Sequence, residues 1–106
     1  MTQKQRAWFD WVAARGCLVP GCDRPASLHH MGGVRSFKTG QRMRRRQYLA
    51  DWAVVPICSY HHQEANTSIH KVGDEAFGVE YLGGATALME WAYTLALRYV
   101  HEGRNG

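Results

Sequence analysis

The sequence predicts a small α+β domain, with two short strands set between helices at either end of the chain. Three observations carry this expectation. Apolar residues recur at helical spacing near both ends, as Trp8, Trp11 and Val12 and again as Leu88, Ala92 and Leu95. Two short apolar runs, 26–30 and 52–58, lie between Gly- and Pro-rich punctuation in the middle. Three cysteines and two adjacent histidine pairs are spaced like metal half-sites in a chain of 106 residues. So short a chain has room for one modest core, and a structural metal would supplement it.

The elements follow in order. Residues 2–16 read as an amphipathic helix with Ala7, Trp8, Trp11, Val12 and Arg15 on one face, stopped by Gly16. CLVPGC is a tight turn forced by Pro20-Gly21. Residues 26–30, ASLHH, form a strand ended by Gly32-Gly33, and the basic stretch to Arg46 reads as a long loop. Residues 52–58 are the clearest strand, with Pro56 marking an edge or bend. A helix starting near Ser59 should carry the next histidines. Asp74 is placed to cap a short helix through Tyr81, and the chain breaks at Gly83-Gly84. Residues 85–101 form the last helix, with Leu88, Trp91, Ala92, Leu95 and Tyr99 on its buried side. Residues 1–106 make one domain, without repeat or low-complexity linker.

Composition narrows the function classes. Hydrophobic content is 45 %, with four Trp, five Tyr and three Phe, which favours a folded domain over a disordered tail. No stretch approaches the ~20 apolar residues that span a bilayer, and MTQKQRAWFDWVAARG lacks the apolar run of a signal peptide. A cytoplasmic protein without membrane partners is expected, where disulfides are rare. Three cysteines cannot all pair in any case, so metal ligation is the better reading of them. Residues 24–50 hold seven basic side chains and no acidic one, whereas 64–106 hold three basic and six acidic. The overall +4 thus conceals a strongly basic centre, suited to a polyanion such as DNA. Arg35, Lys38, Arg42, Arg44, Arg45 and Arg46 are the candidate phosphate contacts; a solvated surface loop is the plainer alternative.

Cys17-x4-Cys22 puts two thiolates across one turn, and Cys58-x2-His61 has the matching half-site spacing. A Cys3His set closes a tetrahedron, so this would be a structural Zn²⁺ site; three buried free cysteines are the alternative. Neighbours on a helix point about 100° apart. His61 and His62 should therefore serve different centres. His29 and His30 should likewise face opposite ways on a strand. His101, near the end of the last helix, reads as surface.

A histidine pair ending one strand, then a strand leading into C-x2-H-H, resembles the HNH (ββα-metal) endonucleases. The likeness is closest to small phage and prophage HNH proteins of the recombination-enhancement type. It rests on the Cys pair, SLHH, VPICSYHH and His70-x2-Gly73-x3-Phe77-x3-Tyr81, and covers roughly residues 15–83. The resemblance implies a zinc-stabilised, treble-clef-like ββα-metal core with flanking helices, and metal-dependent hydrolysis of DNA. It implies His29 and His62 as ligands of a catalytic Mg²⁺ or Mn²⁺, with Zn²⁺ or Ni²⁺ as alternatives, and His30 as general base. A phosphodiester attacked by water needs a neutral imidazole to take the proton and a cation on the leaving oxygen. A nearby cation keeps such an imidazole unprotonated. The family often has an Asn that orients the base; here the nearest candidate is Asp51. The last ligand is either Asn66, one turn past His62, or His70. On an unbroken helix His70 would lie about 12 Å along the axis from His62, so it can serve only if the helix breaks. Asn and Ser favour such a turn, which favours His70. The resemblance also implies DNA, and a recombinase filament, as partners. Two rivals use fewer of these residues: a non-catalytic zinc-finger-like nucleic-acid binder, and a zinc-stapled protein-interaction module.

Overall fold

The computed structural model of the protein describes residues 2–31, 41 and 53–102. Among these, four α-helices surround a two-stranded antiparallel sheet, an α+β architecture. Helix α1 (Gln3–Ala13) begins with a reciprocal cap. The Gln5 N–H donates to Thr2 Oγ1 at 3.1 Å, and the Thr2 N–H donates to Gln5 Oε1 at 2.9 Å. Trp8 and Val12 are its buried residues, whereas Ala7 and Arg15, expected on the same face, are exposed. Arg15 instead folds back, its guanidinium 4.4 Å from the Trp11 ring centre. Gly16, at φ 83°, takes the left-handed conformation that ends the helical path.

Strand β1 (Ala26–His30) pairs with β2 (Val54–Cys58), with His29 opposite Val55 and His30 opposite Val54. All five residues of β2 are buried, because both of its faces are covered. Val55 and Ile57 enter a core with Val19, Met31, Ile69, Phe77, Leu88 and Ala92. Val54 faces a second core with Trp8, Val12 and Leu95. Pro56 sits mid-strand rather than at its end. It has no N–H to offer, but its carbonyl accepts the Leu18 N–H at 3.0 Å, which ties the cysteine turn to the sheet.

After β2 the chain does not form the ordinary helix expected from Ser59. Tyr60–Glu64 is a single π-helical turn, closed by the Ala65 N–H donating to the Tyr60 carbonyl at 2.8 Å. The chain then turns at 65–68 before α2 (Ile69–Val72) and α3 (Asp74–Phe77). Asp74 does not cap α3: the cap position is Gly73, at φ 91°, and the Asp74 side chain is used elsewhere. A second π-helical turn, Gly78–Leu82, ends at left-handed Gly83, and α4 (Ala87–His101) packs back on the sheet. Leu88, Ala92 and Leu95 are buried on α4 as expected, but Trp91 is 37 % exposed. Tyr99 is half-buried, its ring 5.1 Å from Trp8 and 5.4 Å from Trp11. No described helix is long and apolar enough to cross a membrane.

Candidate metal centres

Two clusters that could hold metal ions lie among the described residues, and the adjacent pair His61-His62 feeds one residue into each. The first is Cys17, Cys22, Cys58 and His61. Cys17 and Cys22 flank the turn through Pro20 and Gly21, where Gly21 at φ 82° supplies the positive φ that the third turn position needs. The Cys22 N–H closes this turn on the Val19 carbonyl at 3.0 Å. Cys22 Sγ and Cys58 Sγ are 3.7 Å apart. His61 Nδ1 stands 3.1 Å from Cys58 Sγ and 3.8 Å from Cys17 Sγ. Sulfur and nitrogen ligands on one tetrahedral zinc are separated by about 3.5–3.8 Å. The donor set suits a closed tetrahedral ion, with the Cys22–Cys58 and Cys17–His61 edges at that spacing and the Cys58–His61 edge shorter.

Burial pushes the Cys17 thiol up to about 11. Burial is the largest influence on Cys58 too, but backbone N–H groups of His61 and Tyr60, with the neighbouring thiols, outweigh it and hold Cys58 below its ordinary value. His61 is lowered by burial and then by the charge of Arg24. A bound dication would keep all three sulfurs as thiolates. Arg24 lies 4.4 Å over the Tyr60 ring, beside an open cleft of about 330 Å³ that these two residues share with Asp23 and His61.

The second cluster is His29, His62 and His70. His29 is buried on β1, and its Nδ1 is 3.2 Å from His62 Nε2. The break after the π-helical turn brings His70 back, so that its ring centre is 4.4 Å from His62 and 6.4 Å from His29. Buried Ile69 anchors α2 in the core and fixes where its neighbour His70 stands. Of the two candidates for the last ligand, the structure brings His70 to this cluster; Asn66 lies on the turn between helices, and both residues are exposed. Burial first, then the imidazoles of His29 and His70, push His62 down to about 4, with Asp74 pulling weakly the other way. A neutral imidazole at pH 7 has its lone pair free for a cation. Three imidazoles would leave a coordination position open on a four-coordinate ion, whereas the Cys3His set would leave none.

Two further residues were placed by sequence reasoning in other roles or in none. Asp74 Oδ1 accepts from His29 Nε2 at 2.8 Å, so the expected helix cap is a partner of the buried histidine instead. Tyr81 contacts the His61 ring edge-on at 5.1 Å and shares a hydrogen bond with Thr67. No spacing rule points to Asp74, whereas Tyr81 stands in the His70-x2-Gly73-x3-Phe77-x3-Tyr81 spacing. His30 is exposed and stands with Val54 on the α1 side of the sheet, its ring 5.7 Å from Phe9. Directly paired residues share a face, so His29 and His30 look opposite ways as the strand period requires. His101 is exposed, as expected. Asp51, Arg35, Lys38, Arg42, Arg44, Arg45 and Arg46 lie outside the described residues.

Among known proteins, no family model, no curated protein and no solved structure matches the chain. The likeness to HNH nucleases therefore rests on the ordered Cys and His positions themselves.

Proposed function

We propose that the protein is a metal-dependent DNA endonuclease of the HNH type, its ββα-metal core stapled by zinc. The observation that carries this reading is the division of one histidine pair between two unlike centres. A Cys3His set closes its tetrahedron, whereas a three-histidine set leaves room for a substrate oxygen and water. A divalent ion held there, Mg²⁺ or Mn²⁺ with Zn²⁺ or Ni²⁺ as alternatives, supplies charge stabilisation to the phosphoryl and leaving oxygens. His29, His62 and His70 would hold that ion. His30 takes the proton from the attacking water, with Asp51 orienting its ring, and Arg35, Lys38, Arg42, Arg44, Arg45 and Arg46 bind backbone phosphates. His30 is the last residue of β1 and stands on the α1 side of the sheet. The scissile phosphate would therefore straddle the end of this strand. A role in phage or prophage DNA recombination, beside a recombinase filament in the cytoplasm, suits the resemblance.

That same placement of His30, away from the face of His29, favours a second reading: a zinc-stabilised nucleic-acid binder that cuts nothing. Plasmid cleavage by the wild-type protein and by His30→Ala separates the two. The nuclease reading expects His30→Ala to cut about 10²–10⁴-fold more slowly, with zinc content and DNA binding retained. Wild-type protein that binds DNA yet leaves it intact with Mg²⁺, Mn²⁺, Co²⁺ and Ni²⁺, recombinase filament included, would establish the binder.

A further inference from the structure

The second ring nitrogen of His29 has a partner from a distant part of the chain. Asp74 Oδ1 lies 2.8 Å from His29 Nε2, with side-chain exposures of 19 % and 10 % respectively. Asp74 opens α3, a helix held in place by fully buried Phe77, and Gly73 at φ 91° sets the angle at which α3 leaves α2. The carboxylate is thus delivered to β1 by the packing of α3 in the core.

We infer that Asp74 is a positioning residue: it selects the tautomer of His29 that turns a bare Nδ1 toward His62 and His70. The inference rests on the reading of those three histidines as a metal centre. A carboxylate can only accept, so the His29 Nε2 must carry the hydrogen. A neutral imidazole has one N–H, which leaves Nδ1 as a lone pair. That Nδ1 is the atom 3.2 Å from His62 Nε2, so His62 is the donor when no ion lies between them. Without the carboxylate, His29 could carry its proton on Nδ1, aimed where a ligand lone pair is needed. His29 accordingly ligates through Nδ1. Partners of this kind set ring orientation and ligand basicity, and losing one typically costs about 10–100-fold in metal affinity.

Two measurements test this, and neither needs DNA cleavage. Two-bond ¹H–¹⁵N correlation spectra of the zinc-loaded wild type, with no other metal added, should show His29 as the Nε2–H tautomer. Calorimetric titration with Ni²⁺, an ion suited to imidazole, should show Asp74→Ala binding about 10–100-fold more weakly than wild type. Zinc at the Cys3His site should be retained. A wild-type His29 protonated on Nδ1 overturns the inference, as does wild-type Ni²⁺ affinity in Asp74→Ala, which has no acceptor left for the Nε2–H. Should Asp74→Ala fail to fold, the wild-type tautomer still decides. Protein that passes both measurements but never cuts DNA would sink the nuclease reading and leave the role of Asp74 standing.

Discussion

His62 shows how much one side chain's surroundings decide. Burial and two neighbouring imidazoles bring it to about 4, whereas an unfolded histidine titrates near ~6.5. Between these values the unfolded chain takes up a proton that the folded chain refuses. The stability associated with neutral His62 is therefore complete above about pH 6.5, and falls away as pH drops toward 4. Protons compete with a metal for the same lone pair, and at His62 in the folded protein that competition sets in only as pH falls toward about 4. Thermal unfolding of wild type and His62→Ala, compared at pH 7.5 and 4.5 without added divalent ion, checks this. The wild type should lose more of its melting temperature on acidification than the variant; equal losses would show that His62 does not report the shift. The split between His61 and His62 was legible in the sequence, because adjacent residues cannot face one centre. The pairing of Asp74 with His29 was not, because a carboxylate that meets the far side of a ring obeys no sequence spacing.

At the level of elements, apolar periodicity located α1, α4 and both strands, and turn residues located the cysteine turn. The two π-helical turns, Tyr60–Glu64 and Gly78–Leu82, escaped because one added residue barely alters the apolar pattern. They matter all the same, since the first ends soon enough for the chain to bring His70 back to His62. The second depends on Gly78, whose carbonyl accepts the Gly84 N–H at 3.1 Å. A Cβ at Gly78 would run into the Gly84 carbonyl oxygen, and a backbone atom cannot swing aside as a flexible side chain can. Gly78→Ala should therefore destabilise the fold by about 1–3 kcal/mol, read as a lower denaturation midpoint at unchanged slope. A midpoint equal to wild type would show that the two chain segments separate without cost.

The molecule as a whole is organised around β2, a strand buried on both faces and flanked by two cores. The cysteine turn attaches to it through Leu18 and Pro56, and Cys58 at its end leads into the histidine pair. The order of the chain thus brings together two clusters that could hold metal ions, one at the end of β2 and one drawn from β1, the π-helical turn and α2. The Cys3His cluster could be anticipated from Cys and His spacing, and the three-histidine cluster from the resemblance to HNH nucleases, while the face on which His30 stands became clear only from its pairing with Val54. The central claim is that the two centres differ in kind: one staples the fold and the other does chemistry. Bound metal and plasmid cleavage, measured together on wild type and His62→Ala, test it most directly. The account predicts that wild type holds one chelator-resistant zinc and one exchangeable divalent ion and cuts DNA, while His62→Ala keeps the zinc, loses the exchangeable ion and does not cut. His62→Ala cutting as fast as wild type, or wild type that holds both ions and cuts nothing, would contradict it.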